Sequence, residues 1–251
     1  MASNTDELIK EQLLLSINEC KMAVAQLQKE TSIAFMISAA SLIAKSLKSG
    51  GKVLIAGNGG SLCDAAHFAE ELTGVFRTKR KALPAISLSD PGHLTCVAND
   101  IGFDSVFSRG VEAFGKEGDV FIGMTTSGNS LNIVNAVQKA LEMGLETITF
   151  LGKGGGRLKG IADLELIIES FNTSDRIQEA HMAAAHMIIE LLEYRMFPEI
   201  LKIQQKERDG ICHKFICEAS VKDAWITPTT LDAPRKKKRD PTIETLLDPQ
   251  V

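Results

Sequence analysis

The spacing of apolar positions changes once, sharply, along the chain. Over residues 5–28, Leu8, Leu13, Leu15, Ile17, Met22, Val24 and Leu27 are set among polar residues and predict an amphipathic helix. A second helix is expected from about Thr31 to Leu47, ended by Ser49-Gly50-Gly51. From residue 52 onward, short continuous apolar runs take over. KVLIAG (52–57), PAISLS (84–89), DVFIGM (119–124), ETITFLG (146–152) and LELIIE (164–169) read as buried strands. Helices are expected from Ser61 to about Thr73, over 131–143, and from Asp175 to Met196. Strands alternating with helices predict an α/β fold, a parallel five-stranded sheet with helices on both faces, preceded by two N-terminal helices. Such folds take their ligands beyond the carboxyl ends of the strands.

Three segments follow. Residues 1–50 form a helical pair that packs within the chain or between subunits. Residues 51–197 form the α/β domain. Residues 198–251 hold five of the seven prolines, the only Trp and the basic run PRKKKRD (234–240), and read as a partly disordered extension. The net charge of −4 gives no general reason to expect nucleic acid. No stretch approaches the roughly 20 apolar residues that a membrane span needs. The N-terminus, MASNTDELIKEQ, lacks the basic start and apolar core of a signal peptide. Five cysteines, Cys20, Cys63, Cys96, Cys212 and Cys217, make no disulfide framework, so a reducing compartment, the cytoplasm, is expected.

Chemistry concentrates at four places. GNGGS (57–61) follows the first strand and opens a helix, where glycines allow a tight turn and helix N–H groups favour an anion. It lacks the pattern of a dinucleotide or Walker loop, and by itself a plain turn fits as well. TTSGNS (125–130) repeats the arrangement after the third strand; simple helix capping explains it equally, but the two together favour a phosphate-bearing ligand. AHFAEEL puts His67 and Glu71 one helical turn apart, a spacing compatible with a metal, with acid–base chemistry, or with a solvated pair. SDRIQEAHMAAAHMIIELLE (174–193) has a packed side marked by Met182, Met187, Ile188, Leu191 and Leu192, with Gln178, His181 and His186 as polar intruders, for which a core histidine hydrogen-bonded to backbone is the usual explanation.

GNGGSxxDAxHFAEEL, VANDIGF (97–103), SGNS and DRIQExH with a later His occur in order over roughly residues 5–196. Together they resemble the bacterial sedoheptulose 7-phosphate isomerases, or phosphoheptose isomerases, of the sugar-isomerase (SIS) superfamily. The resemblance implies the SIS form of the three-layer, flavodoxin-like sandwich. It implies one Zn2+ per subunit held by His67, Glu71, Gln178 and His186, with Glu71 and His186 as the acid–base pair. Asn58, Gly59, Gly60, Glu71, Asn99, Asp100, Thr125, Thr126, Ser127, Ser130 and Gln178 match the family's substrate contacts. Thr125 stands where a Ser is usual, keeping the hydroxyl. Val75 stands where Arg is frequent, with Arg77 two residues later.

By the same resemblance, the reaction converts sedoheptulose 7-phosphate to D-glycero-D-manno-heptose 7-phosphate through an enediol, the first step towards ADP-heptose and the lipopolysaccharide core. The enzyme would be a cytoplasmic homotetramer with active sites at subunit interfaces and no nucleic-acid or membrane partner. The rival reading is a non-catalytic SIS protein that binds a replication-initiation protein or senses a sugar phosphate. Such a protein has no need of His67, Glu71, Gln178 and His186 together. Gln178 and His186 are eight residues apart, about 12 Å along a straight helix. A shared metal therefore requires an irregular helix start, fewer than four ligands, or ligands from different subunits.

Overall fold

The structure is a computed structural model, and it describes residues 2–203 and 205. The basic run at 234–240 and the Cys212, His213, Cys217 group lie outside the described residues.

Five parallel strands, β1 (Val53–Gly57), β2 (Ala85–Ser87), β3 (Val120–Thr125), β4 (Glu146–Gly152) and β5 (Leu164–Ile168), form one sheet in the order β2-β1-β3-β4-β5. Val53 pairs with both Ala85 and Val120, and Ile148 with Leu164. β1 and β3 are buried along their whole length, which is why they read as unbroken apolar runs rather than alternating ones.

Among the described residues, the helices around the sheet include α1 (Ala2–Ala25), α2 (Glu30–Lys48), α3 (Gly60–Thr73), α4 (Pro91–Asp100), α5 (Val106–Phe114), α6 (Leu131–Glu142) and α7 (Ser174–Met196). Alternation along the strands divides the core in two. Val53, Ile55, Val120, Ile122, Met124, Ile148 and Phe150 face α2, α3 and α7. Leu54, Ala56, Phe121 and Leu151 face α5 and α6.

The two N-terminal helices are present as expected, and α2 joins the first core through Phe35, Met36, Ala39, Ala40 and Ile43. By length and composition α2 could cross a membrane, yet half of its apolar window is buried inside the protein. α1 touches α7, where Arg176 Nη2 donates to Ser16 Oγ at 2.9 Å, and leaves Leu8, Ile9, Leu13, Leu14, Leu15, Ile17 and Met22 exposed.

Two helices escaped the sequence reading. α4 and α5 are short, and α4 buries only Val97. On α7 the packed side is largely as expected, with Ile188 and Leu192 buried and Met182 and Leu191 packed against the core, but Met187 is 39% exposed, and Ile177, Ala180, His181, Ala184, Ala185 and Ile189 are buried as well. The alanines let α7 approach the sheet and its neighbouring helices closely, so bulk on the outer side does not mark the interface.

Candidate active site

The strand order reverses direction between β1 and β3, and the loops after these two strands open on that crevice. GNGGS is glycine-rich for reasons of space. A Cβ on Gly57 would lie 2.4 Å from the Ser61 carbonyl oxygen, and Gly59 has φ +55°. A Cβ on Gly60 would lie 2.6 Å from Gln178 Oε1. Opposite, Gly128 at φ +66° packs so closely that its Cβ would fall 1.8 Å from the Gly155 carbonyl oxygen.

The loops are tied to each other. Asn58 and Asn132 exchange two amide hydrogen bonds of 2.9 Å, with Asn132 buried. The Thr125 and Ser130 hydroxyls lie 3.2 Å apart, and those of Thr126 and Ser174 lie 3.0 Å apart. Ser127 Oγ accepts from the Asn129 N–H at 3.2 Å. Ser130 occupies the N-cap of α6 yet makes no capping hydrogen bond, and neither Gly59 nor Thr173 caps α3 or α7 with a side chain. Capping therefore does not account for the hydroxyls of TTSGNS. The starts of α3, α6 and α7 keep backbone donors for an anion.

α3 and α7 lie side by side, and two contacts mark their seam. At the start of α3, Gln178 Nε2 donates to Ser61 Oγ at 3.3 Å. Further along, donor atoms of His67, Glu71 and His186 all lie within 4.8 Å of one another. His67 Nε2 is 3.3 Å from Glu71 Oε1, and the His67 and His186 rings meet edge to face at 5.0 Å. Glu70, the expected solvent residue, is exposed, with its carboxylate 3.7 Å from His67.

The protein thus joins three of the four metal-ligand candidates on one chain. Gln178 is held at the helix start instead, roughly 9 Å of helical rise before His67. Two imidazoles and a carboxylate are a donor set that zinc accepts, with a position left for substrate or water.

Asn99 and Asp100 sit exposed at the end of α4, where Asn99 Nδ2 donates to Asp100 Oδ1 at 2.7 Å. Among the described residues, no hydrogen bond joins them to the two loops or to the three-residue cluster. Val75 is exposed. Arg77 pairs with Glu190 at 2.7 Å and lies over the Phe76 ring, which in turn stacks on His186 at 5.8 Å.

Burial, reinforced by His67 and Arg77, lowers the pKa of His186 and favours the neutral imidazole that a metal requires. His181 has a different part. It is fully buried, its Nε2 lies 2.9 Å from the Leu151 carbonyl, and desolvation takes its pKa down to about 4, so it is a core histidine. Sequence reasoning missed Asp64, one turn before His67. Its carboxyl is pushed up to about 6 by burial, and its Oδ2 has no partner. It also missed Phe76 and Asn132. The only signal for Asp64 was its place in the quoted motif.

Comparison with known proteins points the same way. The SIS domain family matches residues 17–152. A phosphoheptose isomerase of Fusobacterium nucleatum is 63% identical over 150 residues, 60% of this chain and 77% of that protein. One from Vibrio cholerae is 54% identical over 170 residues, 68% of this chain and 89% of its own. The solved phosphoheptose isomerase of Neisseria gonorrhoeae superimposes with a TM-score of 0.67 at 35% identity, covering 73% of this chain and 99% of that one.

Proposed function

Because the chain belongs to the SIS-domain family and is an isomerase of its phosphoheptose group, we propose that it converts sedoheptulose 7-phosphate to D-glycero-D-manno-heptose 7-phosphate at the α3–α7 seam. The observation that carries the site assignment is the convergence of His67, Glu71 and His186 beside two hydroxyl- and glycine-rich loops. The phosphate is assigned to the starts of α3, α6 and α7, with Thr125, Thr126, Ser127 and Ser130 supplying hydroxyls and Gly59 and Gly60 supplying backbone N–H groups. Asn58, locked to Asn132, holds the two loops at a fixed spacing.

The reaction moves one proton. Glu71 removes it from C1 of the ketose, and the C1–H electron pair forms the C1–C2 double bond of an enediol while the C2 carbonyl oxygen takes a proton from His186. As the enediol collapses, the O1–H proton passes to His186, a carbonyl forms at C1, and the double-bond pair takes at C2 the proton that Glu71 holds, so both side chains end as they began. Zn2+ held by His67, Glu71 and His186, with Gln178 as the fourth candidate, would supply Lewis acidity at the carbonyl oxygen. Phe76 against His186 limits the freedom of that ring and keeps water from one of its faces. The exposed apolar side of α1 and the outlying Asn99 and Asp100 support a homotetramer in which a neighbouring subunit completes the site. The setting is cytoplasmic heptose synthesis for ADP-heptose.

The test is incubation of the purified protein with sedoheptulose 7-phosphate, with and without a chelator, followed by detection of an aldose phosphate. Full turnover by protein shown to be free of metal would reject the zinc assignment, and no aldose from metal-loaded protein would reject the substrate.

A further inference from the structure

α3 ends at Thr73, two residues beyond Glu71, so the orientation of that carboxylate depends on how the helix end is held. One side chain from outside the helix reaches several carbonyls at this end, beside the Leu83 N–H, which also donates to the Leu72 carbonyl. Arg80 Nη2 donates to the carbonyl of Glu71 itself at 2.7 Å, and Nη1 donates to those of Leu72 at 2.9 Å and Gly74 at 3.4 Å. The same guanidinium donates through Nε to Glu193 Oε1 at 2.6 Å. Both side chains of the Arg80–Glu193 pair are only 1% exposed. Glu193 lies on α7, two turns beyond His186. One planar group therefore clamps the helix that carries His67 and Glu71 to the helix that carries His186.

A buried ion pair is a poor way to stabilise a fold, because desolvation of two charges offsets most of their attraction. It does fix geometry, since a guanidinium serves several acceptors in set directions. A cation at the C-terminal end of α3 also suits the helix dipole.

We propose that Arg80 and Glu193 are positioning residues for the catalytic cluster: they set the register of α3 against α7 and so hold Glu71 and His67 at working distance from His186. Neither touches substrate. The proposal rests on the assignment of the cluster given above.

Arg80→Lys is the central variant. Lysine keeps a charge for Glu193 but offers three donors from a single point, so it cannot also hold the Glu71, Leu72 and Gly74 carbonyls. The metal-free protein is titrated with Zn2+ against a chromophoric chelator, and turnover is measured on the loaded enzyme. Zinc affinity is expected to fall 10–100-fold, as for residues that orient metal ligands. kcat is expected to fall at least tenfold, with KM within about threefold. Glu193→Gln, which keeps an acceptor for Arg80, should shift both in the same direction by less.

Ser46→Ala removes a hydrogen bond to the Gly118 carbonyl, which involves neither α3 nor α7, and serves as the stability control. It should lower the melting temperature without changing zinc affinity. Arg80→Lys with zinc affinity and kcat within twofold of wild type overturns the proposal. So does a Ser46→Ala variant that loses affinity in proportion to its lost stability. If Arg80→Lys does not fold, Glu193→Gln decides by the same criteria. If wild type and Glu71→Gln bind zinc equally, the metal assignment fails on its own, and the clamp then stands or falls on kcat against KM.

Discussion

Replacing Gly128 by Ala tests whether the second ligand loop is held by its neighbour. The residue has φ +66°, and the new Cβ would lie 1.8 Å from the Gly155 carbonyl oxygen and 2.4 Å from its carbon. Neither contact is with a flexible side chain, so the two loops must separate. Separation breaks the bond from the Leu158 N–H to the Gly128 carbonyl at 3.2 Å and the one from the Arg157 N–H to Asn129 Oδ1 at 3.0 Å. Each such bond contributes about 1 kcal/mol, and left-handed backbone costs Ala about 1–2 kcal/mol. The sum is about 3–4 kcal/mol, which for a protein of this size lowers the melting temperature by roughly 10 °C. Because Ser127 and Ser130 move with the loop, KM for the sugar phosphate should rise more than tenfold. Calorimetry and steady-state kinetics measure the two effects. Gly60→Ala is the contrast. There the Cβ meets only the end of the Gln178 side chain, at 2.6 Å, which can swing away at little cost to stability. A Gly128→Ala protein that melts within about 2 °C of wild type would show that the loop around Gly155 does not brace the ligand loop.

Glu71→Gln keeps size and hydrogen bonding but removes the proton acceptor, so turnover should drop at least about a hundredfold with the melting temperature little changed; a variant retaining more than about a hundredth of the wild-type rate would sink its role as base. Asp64 is raised by burial to about 6, so the folded state holds its proton more tightly than the unfolded chain, and its contribution to stability declines as pH rises from about 4 to 6. Asp64→Asn should therefore gain melting temperature relative to wild type between pH 5 and pH 7 in metal-free protein, and parallel pH curves for the two would contradict this. If the protein is the proposed homotetramer, mixtures of Glu71→Gln and His186→Ala subunits should regain no activity, since both residues meet on one chain. Mixtures of His186→Ala with Asp100→Ala subunits should regain a measurable part of it, and failure after proven subunit exchange would return Asp100 to its own subunit's site.

The sheet was legible because β1, β3 and β4 are buried on both faces and bounded by glycines. The region between β2 and β3 was not, because α4 carries too little buried surface to show a period. A local signal was present all the same. Asp90 caps α4 by accepting from the His93 N–H at 2.7 Å, with Pro91 at the first helical position. His67 and Glu71 could be paired from their spacing alone. His186, more than a hundred residues away, could be joined to them only through resemblance, because the parallel sheet is what brings α3 beside α7. Arg80 and Glu193 carried no signal, since a partner 113 positions distant leaves no trace in either local pattern. His181 and His186, five residues apart on one helix, have opposite fates because one faces the sheet and the other faces α3.

The two contact points along the α3–α7 seam also act as a ruler. On the proposed assignment, the start of α3 would receive one end of the ligand, and the cluster roughly 9 Å further along the helix would act on the other. A ligand must therefore have enough carbons between its phosphate and its carbonyl to reach both at once. A three-carbon ketose phosphate can satisfy one end only, whereas a seven-carbon chain spans the gap. Chain length, more than the arrangement of hydroxyls, should then govern kcat/KM across ketose phosphates of five, six and seven carbons. An enzyme equally efficient with all three would show that the seam measures nothing.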